Sequence, residues 1–202
     1  SVPVEKLPVW LPFTDEQFED EEGAETYVNN RLVYMLEARL DSQILSGDGT
    51  TPNIRGTVNV SGINTQAKGT DPTPDAIYKA IRKCRATGFA QPNVVFLHPN
   101  DWEDVRLLRT ADGIYIFGNP NEAGPERIWG VPMHQSTAVA ENTGVTGDYT
   151  QFSELRIKKG ITVKMTDSHA NDFINGKLAI RAEVRIAMVH YRPEAFSTIT
   201  GI

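Results

Sequence analysis

The chain has 202 residues, enough for one large domain or two small ones with real hydrophobic cores. Its net charge of -6 disfavours a protein that reads nucleic-acid sequence, and no apolar stretch approaches the roughly 20 residues that span a bilayer. A single cysteine, Cys84, excludes an internal disulfide framework and suits a reducing compartment, and the first residues lack the pattern of a signal peptide.

The first quarter of the chain predicts an extended segment followed by a long helix. Residues 1–14 should be extended, because three prolines interrupt a short apolar run. The helix should lie within residues 15–46, with an acidic start and with Arg31 and Arg39 later, an order that complements the helix macrodipole. Gly47 is predicted to end it. Apolar side chains recur at helical spacing and predict its buried face: Val28, Leu32, Met35, Leu36, Leu40 and Ile44.

A turn and a polar loop are predicted next, up to about Asp71, and a second helix follows. Thr73 is the predicted N-cap of this helix, Pro74 its first residue, and Gly88 closes it. Its buried face is predicted to contain Ile77, Ala80, Ile81 and Cys84.

Beyond this helix the pattern predicts a buried strand at residues 94–97. Asn100 should cap a third helix, with Glu103 completing a capping box. After a turn at residues 112–113, residues 114–117 can form a strand or one arm of a hairpin.

The last third is rich in predicted β-structure. Residues 155–166 and 177–190 should form a long hairpin on the long helix, with a turn between them. In its first strand Ile161, Val163 and Met165 alternate with polar residues and should be half-buried. In the second strand one face should be buried, namely Leu178, Ile180, Ala182, Val184, Ile186 and Met188. The other face should carry Lys177, Arg181, Glu183 and Arg185.

Seven short stretches, in this order, give the chain a resemblance to a known family. They are residues 27–32 (YVNNRL), 43–50 (QILSGDGT), 98–102 (HPNDW), 107–109 (LLR), 112–118 (DGIYIFG), 129–132 (WGVP) and 190–193 (HYRP). Their order and spacing resemble those of tailed-bacteriophage major capsid proteins of the HK-ninety-seven type. Each stretch alone is weak evidence, and the ordered set is strong.

The resemblance implies an α+β phage capsid fold with two parts. A peripheral domain, residues 1–70 and 157–190, would hold a spine helix on the long hairpin. An α/β axial domain would comprise residues 71–156 and 191–202. The family also has an N-terminal arm and an extended loop, of which residues 4–10 resemble only the returning strand, so we expect a fragment of a longer protein.

The same resemblance suggests residues at subunit interfaces. Acidic side chains on the spine helix, among them Glu19 and Glu22, together with Arg31 and Arg39, can pair across a boundary between subunits. Some relatives join subunits by a lysine–asparagine isopeptide bond that a buried glutamate promotes, and Glu183 matches that glutamate.

Two features argue against such cross-linking in this chain. The position of the asparagine falls at Gly176, and the lysine would lie in the absent loop. A charge ladder of Glu183 with Arg181 and Arg185 is therefore the favoured interpretation.

Other motifs are better explained by structure than by chemistry. The glycines of residues 47–50 follow a helix and precede Pro52, which favours a helix-ending turn over a phosphate loop. No nucleophile elbow is present, and Cys84 lies on an apolar helix face. The histidines show no metal-ligand spacing, so no metal or cofactor is expected: His98, His134, His169 and His190.

The leading hypothesis is a structural subunit, not an enzyme, of a tailed-phage or prophage icosahedral capsid. Copies would assemble as pentamers and hexamers around packaged double-stranded DNA without sequence recognition, in the virion, after synthesis in the host cytoplasm. A scaffold segment, a portal and a protease would belong to the full system, and no membrane is involved. The alternatives are an encapsulin-like compartment shell around a protein cargo and, last, a small hydrolase, which would need a pocket with converging polar groups.

Overall fold

The computed structural model describes residues 2–14, 16, 24–117, 126–167 and 173–202. These residues form a three-stranded sheet and a six-stranded sheet with helices packed on them. The helices are α1 (Ala24–Ser46), α2 (Thr73–Ala86), α3 (Pro99–Arg106) and α4 (Tyr149–Phe152). The strands are β1 (Glu5–Thr14), β2 (Asn64–Ala67), β3 (Val94–Leu97), β4 (Arg127–Ile128), β5 (Val131–Gln135), β6 (Thr143–Gly147), β7 (Ser153–Thr166), β8 (Lys177–His190) and β9 (Phe196–Thr200).

Helix α1 has 23 residues, or about six turns, and ends one residue before Gly47. Val28, Leu32 and Leu36 are at most 1% exposed and form its buried face. Gly47 is required by a close approach, since a Cβ there would lie 2.3 Å from the carbonyl oxygen of Ile54. The acidic start of the predicted helix falls mostly outside the described residues.

The three-stranded sheet has the order β1-β8-β7, so β8 is paired along both edges. Its β7 and β8 match the predicted hairpin closely. The segment predicted only as extended is β1, a third antiparallel strand in which Leu7 lies opposite Val184 and Val9 opposite Ala182. Prolines are tolerated there because β1 lies at the sheet edge, where a missing N–H can face away from the sheet.

The alternation of β8 places one face against α1, as predicted. Ala182 and Ile186 are fully buried there, in one core with Leu7 and with the apolar stripe of α1. On β7, however, the expectation of half-burial was wrong, because Ile161 is 43% exposed and Met165 is 54% exposed. The physical reason is coverage: α1 packs on β1 and β8, and β7 extends beyond it.

The six-stranded sheet is mixed, with the order β2-β9-β6-β3-β5-β4. Helix α2 packs on it with the predicted face, and Ile77, Ile81 and Trp102 share its core. The polar loop predicted up to Asp71 contains strand β2, which pairs in parallel with β9, and a short 3₁₀ turn at Thr57–Asn59. The four residues of β2 lack apolar alternation, so only the pairing with β9 makes them a strand.

Both predicted helix caps are shifted by one or two residues. Thr73 is the first residue of α2, and the N-cap position belongs to Pro72. The side chain of His98 caps α3, because its Nδ1 accepts a hydrogen bond of 3.2 Å from the backbone N–H of Asn100. In α3, Pro99 at the first helical position explains the shift, since it fixes φ and forces the preceding residue, His98, into an extended conformation.

Residues 114–117 form no named strand. Arg109 and Tyr115 make an isolated antiparallel bridge around Gly113, whose φ is +82°. Phe117 packs against the core of the six-stranded sheet.

Candidate subunit interface

Glu183 lies near the middle of β8, on the sheet face opposite α1. Its side chain is only 7% exposed, and its Oε2 lies 2.7 Å from Lys6 Nζ and 3.1 Å from Arg181 Nη2. Contact with the Lys6 ammonium holds the pKa of this carboxyl below its usual value, against the opposing effect of desolvation. Lys164 adds a further favourable charge across the strand pair.

This arrangement keeps Glu183 ionised inside its own subunit. Arg181 was a predicted partner, whereas Lys6, on the neighbouring strand β1, was not. Both cations stay 45% exposed and can remain solvated. Both cations contact one oxygen of the Glu183 carboxylate, and the contact with Lys6 links β8 to β1. These two ion pairs are enough to explain why the carboxylate is buried, without any reacting partner.

The turn before β8 bears on the cross-linking that the sequence resemblance suggests. Gly176, at the position that the resemblance assigns to a reactive asparagine, has a φ of +56°. This left-handed conformation favours glycine, which explains the residue by the geometry of the turn.

The other predicted interface residues are dispersed. Arg39 Nη1 donates a hydrogen bond of 2.6 Å to the carbonyl oxygen of Pro8, so it links α1 to β1 within the subunit. Arg31 is exposed, and its guanidinium lies 5.5 Å from the ring centroid of Tyr34. Glu19 and Glu22 lie outside the described residues. Among the three predicted interface residues that the structure describes, Arg31, Arg39 and Glu183 each have different contacts and form no common ion pair.

The loop after α1 is organised by a carboxylate. Asp48 Oδ1 accepts hydrogen bonds from the backbone N–H of Thr50 at 2.9 Å and from Asn53 Nδ2 at 3.1 Å. The hydrogen bond from Thr50 lowers the pKa of Asp48 most, and the hydrogen bond from Asn53 lowers it further. The carboxylate thus takes the place that a phosphate would need beside these amide groups.

The histidines and the cysteine have separate structural surroundings. His190 Nε2 lies 3.0 Å from Thr57 Oγ1, and burial lowers the pKa of His190 to about 4. Burial raises the pKa of the Cys84 thiol to about 12, so it stays protonated and unreactive at neutral pH. Among the described residues, no group of three or more His, Cys, Asp or Glu could hold a metal ion.

Two exposed surfaces were not singled out from the sequence. On α1, Tyr27 is 68% exposed and Tyr34 is 62% exposed, with Arg31 between them. The spacing of these residues along the helix, opposite the buried stripe, is the signal that could have identified this surface. On β7, Ile157 is 62% exposed, a result of coverage that the sequence pattern alone cannot predict. No helix in the described part of the chain is long and apolar enough to cross a membrane.

The described residues thus form an α+β protein in which a long helix packs on a three-stranded sheet beside a mixed six-stranded sheet. The family model described as the phage capsid family matches residues 1–201. The chain belongs to the phage capsid family.

Individual relatives agree with this assignment. The chain is 31% identical over 194 residues to the major capsid protein of Enterobacteria phage HK97, covering 95% of this chain and 50% of the relative. It therefore spans about half the length of that curated relative.

Solved structures show the same fold at lower identity. The capsid of the native GTA particle matches with a TM-score of 0.79 and 16% identity, covering 98% of this chain and 73% of that one. A structure from Microbacterium phage Oxtober96 matches with a TM-score of 0.79 and 20% identity, covering 98% of this chain and 73% of that one. The α+β capsid fold implied by the seven sequence stretches is thus confirmed.

Proposed function

We propose that this chain is the shell-forming part of the major capsid protein of a tailed phage or prophage. Many copies assemble, as pentamers and hexamers, into an icosahedral shell that is part of the virion. The observation that carries this proposal is the match to the phage capsid family along residues 1–201. The structural role of that family also supports a subunit without enzymatic activity.

The charge of the chain suits a shell that encloses DNA without reading its sequence. A net charge of -6 gives no general attraction for phosphate. Retention of double-stranded DNA then depends on closure of the shell, and the genome can move during packaging and release. A scaffold segment, a portal and a protease are the further partners that we propose for the complete system, which is assembled in the host cytoplasm.

An encapsulin-like compartment shell is the second candidate function. It would use the same fold around an enzyme cargo. The relative that is 31% identical to this chain is the major capsid protein of a phage, which favours the phage function.

Electron microscopy of the complete protein, expressed alone, tests the proposal. We expect closed shells of uniform diameter. Mass spectrometry and nucleic-acid analysis of the purified particles separate the two candidates, because a stoichiometric enzyme inside would identify a compartment shell. Complete protein that stays as small soluble oligomers under all assembly conditions would contradict both.

A further inference from the structure

A groove beside α1 carries uncompensated negative charge. It has a volume of about 450 Å³ and lies between α1 and the loop after β5; its lining includes Tyr34, Glu37, Ala38, Asp41 and Thr137. Glu37 and Asp41 are exposed, and no ion pair among the described residues includes either of them. The exposed ring of Tyr34 lies at the groove, so the surface combines an aromatic contact with two free carboxylates. We call it the α1 groove.

A protruding segment of β7 has the opposite charge. The pairing of β7 with β8 shifts twice between Ile157 and Thr162, so Lys158, Gly160 and Ile161 are matched to no residue of β8 in the register. Such bulges redirect side chains away from the sheet. A Cβ added at Gly160 would meet no atom within 4 Å, which places open space around the segment. We call residues 157–161 the β7 bulge.

The β7 bulge has the composition of an unoccupied contact surface. Its lysines, Lys158 and Lys159, are exposed and take part in none of the ion pairs among the described residues. Ile157 is 62% exposed and Ile161 is 43% exposed on either side of them. Apolar side chains that flank free charges on an edge strand gain by burial against another surface.

We propose that the β7 bulge of one copy of this chain docks in the α1 groove of the next copy. The two lysines face Glu37 and Asp41, and the isoleucines pack beside Tyr34. This contact joins unlike surfaces, so its repetition produces rings or open chains of subunits. The inference rests on the proposed function, which supposes that copies of the chain meet in a shell.

Charge-swap variants test the contact in the 202-residue chain. Lys158→Glu with Lys159→Glu makes the bulge acidic, and Glu37→Lys with Asp41→Lys makes the groove basic. Sedimentation from micromolar to millimolar concentration should show that either variant alone associates at least about tenfold more weakly than wild type, because like charges now face each other. An equimolar mixture of the two variants should recover the association, because each altered surface meets its complement. High salt should weaken the wild-type contact.

A matched control keeps the change in net charge but places it elsewhere. Arg82→Glu with Arg85→Glu alters two exposed cations on α2 and should leave association unchanged. Equal loss in this control, failure of the mixture to recover, or a wild-type chain that stays monomeric at every concentration would overturn the inference. The proposed function is judged separately, by whether the complete wild-type protein forms shells.

Discussion

His190 links the pH dependence of stability to one buried side chain. Its imidazole contacts the Thr57 hydroxyl and lies edge-on to the Phe196 ring, with the ring centroids 5.1 Å apart. Tyr149 packs on that Phe196 ring, and burial raises the pKa of Tyr149. None of these neighbours carries a charge between pH 4 and pH 7. Burial lowers the pKa of His190 to about 4, whereas the unfolded chain binds this proton near pH 6.5.

We expect the folded state to lose stability as pH falls from about 6.5 to about 4, because only the unfolded state binds the proton in that window. The loss should be about 2 kcal/mol, since partial exposure of the ring reduces the full effect of the shift. His190→Gln should remove this part of the pH dependence in urea unfolding at neutral and acid pH. His134→Gln, at an exposed histidine, is the control. An equal decline in wild type and His190→Gln would refute the assignment.

At the scale of elements, β8 is the strand on which the three-stranded sheet and α1 both depend. Val184 is 4% exposed and lies opposite Leu7, in the core shared with α1. Val184→Asp should prevent folding, because an unpaired buried carboxylate costs several kcal/mol against a total stability of about 5–15 kcal/mol. Soluble yield and thermal unfolding measure this.

Arg185→Asp is the matched control on the same strand. Residue 185 is exposed, and it lies opposite Lys6 and Lys159, so a carboxylate there meets cations instead of the core. We expect a folded protein with near-normal unfolding. Soluble Val184→Asp protein that unfolds cooperatively at wild-type yield would show that the two faces of β8 are reversed.

The sequence predicts helices and strands well where their apolar face packs against another element of the same chain. The stripe of α1 and the alternation of β8 are of this kind, because each meets the other across one core. Strand β2 was not predicted, because it pairs with β9, which is distant in the sequence. The exposure of β7 was not predicted, because its apolar alternation cannot show how far the covering helix α1 extends over the sheet.

The candidate interface was less predictable for a related reason. Glu183 was read as one member of a charge ladder on its own strand, but its burial depends on Lys6, from a strand far away in sequence. Arg39 looked like an outward charge, yet it donates to the Pro8 carbonyl of β1. The role of a charge depends on the partners that folding brings to it. The β7 bulge, likewise, becomes visible only from the register of its pairing with β8.

At the scale of the whole molecule, the extent of the chain limits what it can build. Its residues correspond to 50% of the length of the HK97 relative. We expect the remaining length of such a protein to contribute further interface area, which a polypeptide of these 202 residues lacks. Association must offset an entropic cost of roughly 4–15 kcal/mol for each subunit fixed. Contacts as small as the one between the β7 bulge and the α1 groove give weak association.

We therefore predict that these 202 residues alone form monomers or weak rings of five or six, and neither closed shells nor covalent cross-links. The expected absence of cross-links follows from Gly176, which has no side-chain amide at the position that the resemblance assigns to a reactive asparagine, and from Glu183, whose carboxylate is already held by Lys6 and Arg181. Light scattering at micromolar concentration measures the assembly state, and a denaturing gel detects covalent bonds. Particles of megadalton mass would show that these residues suffice for closure. A ladder of subunit multiples that survives the gel would show that a lysine finds an acceptor other than the asparagine.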